Sequence, residues 1–105
     1  MFDKLDAIEG KYRELESLIS DPTILADMPR WQKYSQEHAA LSEIVSKYRD
    51  YMRVIRELKE NKAMLTEEID DEFKQLLETE IVSLEISKES FETELPILLL
   101  PKDPN

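Results

Sequence analysis

The sequence predicts an all-α protein: an antiparallel three-helix bundle built on a long helical hairpin, with an extended C-terminal tail. Three observations carry this. The 105 residues contain a single glycine, Gly10, where an all-β chain needs many turn glycines. Apolar residues recur at alternating spacings of 3 and 4 over most of the chain. β-branched residues are few, which also favours helix.

The first helix is expected over about 3–20. Leu5, Ile8, Tyr12, Leu15 and Ile19 form one amphipathic stripe. Asp3 is placed to cap its start, with Asp6 in the first turn. Gly10 is a local weakness of about 1 kcal/mol relative to alanine and belongs on the outer face. "SDPTILADMPR" stops this helix. Asp21 marks the break because proline disfavours helical geometry in the residue before it. Pro22 then suits the first turn of a short helix at about 22–27, and Pro29 launches the next segment.

That segment is expected to run over about 30–60, roughly 45 Å. Trp31, Tyr34, His38, Leu41, Val45, Tyr48, Met52 and Ile55 make one stripe, and Ile44, Tyr51 and Leu58 make a second beside it. Two stripes give a face wide enough to touch two neighbours. Asn61 is a candidate cap, and Arg53, Arg56 and Lys59 suit the negative end of the dipole. "NKAMLTEEIDDEF" reads as a turn, with a short helical piece allowed. Glu67, Glu68, Asp70, Asp71 and Glu72 announce the next helix start. The last long helix is expected over about 70–95, with Phe73, Leu77, Ile81, Leu84, Phe91 and Leu95 on one side. Lys88 interrupts that stripe, and Pro96 is taken to end it. Helices with short connections pack as antiparallel neighbours, the second and third as the hairpin and the first along it. Trp31, Tyr34 and Phe91 belong near its base, and residues 60–72 at its tip. Residues 1–95 are therefore expected to form the domain. Residues 96–105, beginning "PILLLP", read as a linker and the first strand of a following domain. An orphan edge strand there favours pairing between copies.

Several function classes drop out. The chain has no cysteine, so disulfide and zinc–thiolate frameworks are excluded. "MFDKLDAIEGKY" is charged throughout and is not a secretory signal. No apolar run approaches the ~20 residues that span a membrane, and a cytoplasmic protein is the simplest reading. There is no second histidine and no calcium loop, so no metal or other cofactor is expected. One glycine cannot build a phosphate-binding glycine loop. His38 falls at a core-facing position, with Glu37 and Glu43 pointed elsewhere by helical spacing. It is expected to be a packing or rim histidine, not a general base.

The net charge of −10 is uneven. Residues 1–29 carry 3 basic and 7 acidic groups, residues 30–59 carry 7 and 4, and residues 60–105 carry 4 and 13. The chain as a whole is repelled by phosphate backbones, so any nucleic-acid contact must use the basic middle. Arg49, Arg53 and Arg56 share a helix face at i, i+4, i+7, with Lys59 at its edge. A phosphate-contacting ridge and pairing with acids of the third helix are equally weighted readings. The acidic run of the third segment is read as a solvated helix face ahead of a mimic of nucleic acid or a site for a basic partner.

Three stretches point to a family. "MFDKLDAIEGKYRELESLISDP", "YSQEHAALSEIVSKYRDY" and the final "LLLPKDPN" resemble, in order and at the right distances, the opening of the bacterial release factor 1 family of class I peptide chain release factors. The resemblance covers all 105 residues and favours this family over its paralogue. It implies a piece of a longer, four-domain protein that recognises stop codons and triggers peptidyl-tRNA hydrolysis on the ribosome. The family's codon-reading Pro-x-Thr and catalytic Gly-Gly-Gln motifs belong to later domains. Gly10 stands alone, and Pro22 is followed directly by Thr23, so neither motif is present and no catalytic residue carries over. The resemblance implies a non-catalytic N-terminal helical domain. Such a domain reaches the large-subunit stalk base, its protein and ribosomal RNA, and is linked to the class II release factor GTPase. The expected docking surface is the Arg49, Arg53 and Arg56 ridge with the tip around Lys59, Lys62 and Thr66. The alternative is a coiled-coil-like self-association module.

Overall fold

The computed structural model describes residues 1–101. Among these there are four helices and no strand: α1 (Phe2–Ile19), α2 (Pro22–Leu25), α3 (Met28–Met64) and α4 (Asp71–Leu98). The chain divides into two compact units, residues 1–46 and 47–105, and α3 runs through both.

In the first unit α1 runs antiparallel to the opening of α3. The Trp31 indole N–H donates to the Ile19 carbonyl at 3.2 Å, and Tyr12 stacks on His38 with centroids 4.1 Å apart. The stripe residues Leu5 and Leu15 are buried as the periodicity requires. The helix begins one residue before the expected cap: Met1 is the N-cap and makes no side-chain bond. Asp3 therefore sits inside the first turn, where it still faces the positive end of the dipole. Asp21 is extended (φ −77°, ψ 124°) and caps α2, accepting the Thr23 N–H at 2.9 Å and the Thr23 hydroxyl at 2.7 Å. These bonds hold the Asp21 carboxyl below its usual range. Ile24 of this short helix is buried.

Gly10 lies in α1, is exposed, and a Cβ there would meet nothing within 4 Å. Gly10→Ala is therefore expected to stabilise the protein by about 0.5–1 kcal/mol, read as a raised denaturation midpoint at unchanged m-value.

In the second unit α3 and α4 form an antiparallel hairpin. Lys47 pairs with Glu94 at 2.7 Å, and Lys62 pairs with Glu85 at 2.9 Å. Val54, Leu58 and Leu84 are its buried centre, with Ile81 and Phe91 packed against them. Tyr51 is 1% exposed; its ring meets Phe91 edge-to-face at 6.3 Å, and its hydroxyl donates to Glu92 Oε2 at 2.9 Å. Leu77 and Leu95 are also buried.

Some boundaries and burials differ from the sequence reading. α3 continues through Asn61 to Met64, because nothing in "NKAM" breaks a helix; it stops where the Thr66 hydroxyl and amide both turn back to the Ala63 carbonyl. Asn61 is thus not a cap. α4 begins after Asp70, whose carboxylate accepts the Phe73 N–H at 2.8 Å. It does not end at Pro96. Pro96 loses its own N–H bond and crowds the preceding turn, but the Leu99 amide still reaches the Leu95 carbonyl at 3.1 Å, so residues 96–98 are helical and not an extended strand. Of the linker read at 96–105, residues 102–105 lie outside the described residues. Met52 continues the first α3 stripe by spacing yet is 44% exposed, while Val54, in neither stripe, is buried. Phe73 is 39% exposed.

Candidate functional site

The basic residues of α3 fall into two sets. Arg49, Arg53 and Arg56 are exposed on one side of the helix. Arg53 leans on Asp50 of its own helix at 3.7 Å, and Arg56 makes no ion pair among the described residues. Lys59 and Lys62 are also exposed, but line a shallow cleft against α4 together with Ile55, Leu58 and Lys88. The structure thus brings two of the five expected docking residues together with a third lysine. It leaves the arginines as a separate ridge.

Lys88 was missed as a site residue. Its only trace in the sequence is that it breaks an apolar stripe between Leu84 and Phe91. Such a position turns a cation toward the helix–helix seam, where its stem lies along apolar surface while its head stays wet. Three lysines in one cleft repel one another, and two carboxylates offset this. Lys62 donates to Glu85 at 2.9 Å, and Lys88 stands 4.0 Å from Glu92. The bond from Lys62 holds the Glu85 carboxyl below its usual range, and Lys47 and Ser90 do the same for Glu94. Lys59 has no ion pair among the described residues. Ile55 and Leu58 line the cleft beside it.

His38 is a rim histidine stacked on Tyr12. Glu16, and neither Glu37 nor Glu43, lies near it, 3.9 Å from Nε2. Nε2 and the nearby Ser35 Oγ are buried without a hydrogen-bond partner. At 3.9 Å the Glu16 carboxylate makes no hydrogen bond to Nε2, so no acid orients the ring through that nitrogen. No group of three His, Cys, Asp or Glu side chains among the described residues is placed to hold a metal ion. No helix among them is long and apolar enough to cross a membrane.

The profile of the PCRF domain matches residues 8–105, nearly the whole chain. The chain belongs to the PCRF domain family. The peptide chain release factor 1 of Carboxydothermus hydrogenoformans is 49% identical over all 105 residues, which make up 29% of that protein. Those of Syntrophomonas wolfei and Clostridium beijerinckii are 51% and 50% identical over the same span, 30% and 29% of their lengths. The chain therefore spans about three-tenths of the relatives it matches. No solved structure matches it. These relatives agree with the release factor 1 resemblance carried by the three quoted stretches.

Proposed function

We propose that this PCRF domain is the non-catalytic docking module of a release factor. The whole protein would recognise stop codons on the ribosome and trigger peptidyl-tRNA hydrolysis; this segment acts by binding. Its partner is the large-subunit stalk base, protein and ribosomal RNA, and through that contact it bears on class II release factor action. The observation that carries this is the Lys59, Lys62 and Lys88 cleft in a chain of net charge −10. A phosphate backbone repelled by the rest of the molecule has this cleft and the adjoining Arg49, Arg53 and Arg56 ridge as its basic approaches.

Two variant sets in a full-length factor test the reading: Lys59, Lys62 and Lys88 all to Gln, and Arg49, Arg53 and Arg56 all to Gln. Ribosome affinity is measured at low and high salt. The lysine set is expected to weaken binding about tenfold or more at low salt and to flatten the salt dependence. The arginine set is expected to have the smaller effect. Binding unchanged by both sets at both salts would sink the proposal.

A further inference from the structure

The outward side of α4 carries a second surface. Gln75, Thr79, Val82, Ile86, Ser90 and Thr93 follow one another at spacings of 4, 3, 4, 4 and 3, so they share a helix face, and all are exposed. None is charged, in a chain that is 36% charged. Val82 and Ile86 are 60% and 64% exposed, and Ile97 extends the line at 62%. Single exposed apolar residues are ordinary; an aligned set on one helix is not.

The three hydroxyls of this face make no demand on a partner. The Thr79 hydroxyl donates to the Gln75 carbonyl at 3.0 Å, and the Thr93 hydroxyl donates to the Glu89 carbonyl at 3.1 Å. The Ser90 hydroxyl donates to the Glu94 carboxylate at 3.1 Å. An apolar surface can therefore cover them without stranding a donor.

Charge identifies the occupant. Val82 and Ile86 lie in a shallow groove with Ile81, rimmed by Glu85, Glu89 and Glu92 and by Lys88. Glu85 is engaged by Lys62, and Glu92 accepts the Tyr51 hydroxyl, but the Glu89 carboxylate has no partner among the described residues. Glu78 adds another carboxylate without a partner among the described residues, about three turns earlier on the same flank. A nucleic acid is repelled by this rim. A second copy of the chain would bring the same carboxylates and another net charge of −10. The face from Thr79 to Thr93 is about 21 Å long, the length of four helical turns.

We propose that this face of α4 docks a basic amphipathic helix of a partner protein, with apolar residues seated on Val82 and Ile86 and Lys or Arg side chains on the Glu89 flank. It adjoins the lysine cleft, with which it shares Lys88, and does not depend on the docking function given above.

The test uses a fluorescein-labelled helical peptide of about 18 residues with leucines every three to four positions flanked by lysines. A matched peptide has glutamates for the lysines. Fluorescence anisotropy should show binding of the lysine peptide only. The variant Val82→Gln with Ile86→Gln keeps the charge and does not lower the helix propensity, and should weaken binding about tenfold or more. Glu89→Gln should weaken it about threefold at low salt, with the loss fading at high salt. Equal binding of both peptides, or binding untouched by the Val82 and Ile86 variant at unchanged helicity, overturns the proposal. So does concentration-dependent sedimentation of the chain that the same variant abolishes, since the occupant would then be a second copy.

Discussion

Tyr51→Ala is expected to lower stability by roughly 3–5 kcal/mol, enough to move the thermal midpoint down by about 15 °C or more. The side chain is 1% exposed, presents its ring to Phe91 at 6.3 Å and ties α3 to α4 through Glu92. Truncation removes an aromatic contact and a cross-helix hydrogen bond, and leaves a cavity that the long helices on either side cannot easily close. A total stability of about 5–15 kcal/mol is usual for a domain, so the hairpin of the second unit is expected to be only marginally folded in this variant. Thermal unfolding followed by circular dichroism measures it. A midpoint within a few degrees of the parent would mean that Tyr51 is not the anchor of the hairpin.

The second large effect concerns alkaline pH. Burial, reinforced by the hydrogen bond to Glu92 and by that carboxylate's charge, pushes the Tyr51 hydroxyl up to about 12 from an ordinary value near 10. The folded state thus holds its proton more tightly than the unfolded state. The stabilisation is complete below pH 10 and is lost as pH rises through 12, a total on the order of 2–3 kcal/mol. Tyr51→Phe deletes the titrating group. At neutral pH it costs about 0.5–1.5 kcal/mol, since Glu92 is exposed enough to be rehydrated. The stability gap between parent and variant should therefore be constant up to about pH 9.5, then shrink and reverse toward pH 12. Every other titratable group is common to both proteins and cancels in the difference. A gap that stays constant through pH 12 would contradict the buried, hydrogen-bonded hydroxyl.

The sequence was most legible where periodicity and punctuation agree. Pro22 and Pro29 fix the start of α2 and α3, and the stripes through Leu5, Leu15, Leu77, Leu84 and Leu95 end up buried. It was least legible at the ends of α3 and α4. Helix ends without a glycine or a sharp breaker are decided by the last turn's own bonds, such as those of Thr66 and Leu99. Within α3, spacing shows which residues share a face, not where a neighbour stops covering it; that is why Met52 is exposed and Val54 is not. The expected docking residues divide in the same way. Spacing alone aligned Arg49, Arg53 and Arg56, but the meeting of Lys59 and Lys62 with Lys88 depends on the register of α3 against α4, which no single helix encodes. Lys88 shows in the sequence as a break in an apolar stripe and not as a member of the cleft.

The absence of cysteine permits single-cysteine probes without further substitution. Ala63 is exposed on α3 beside Lys59 and Lys62, and Gly10 is exposed on α1 with open space around it. A photocrosslinker attached at Ala63→Cys or at Gly10→Cys, with the chain incubated with ribosomes at low and high salt, reads the docking face directly. Ribosomal crosslinks are expected from position 63 and fade at high salt, with little from position 10. Crosslinks of equal yield from both positions, or from position 10 alone, would contradict docking through this face.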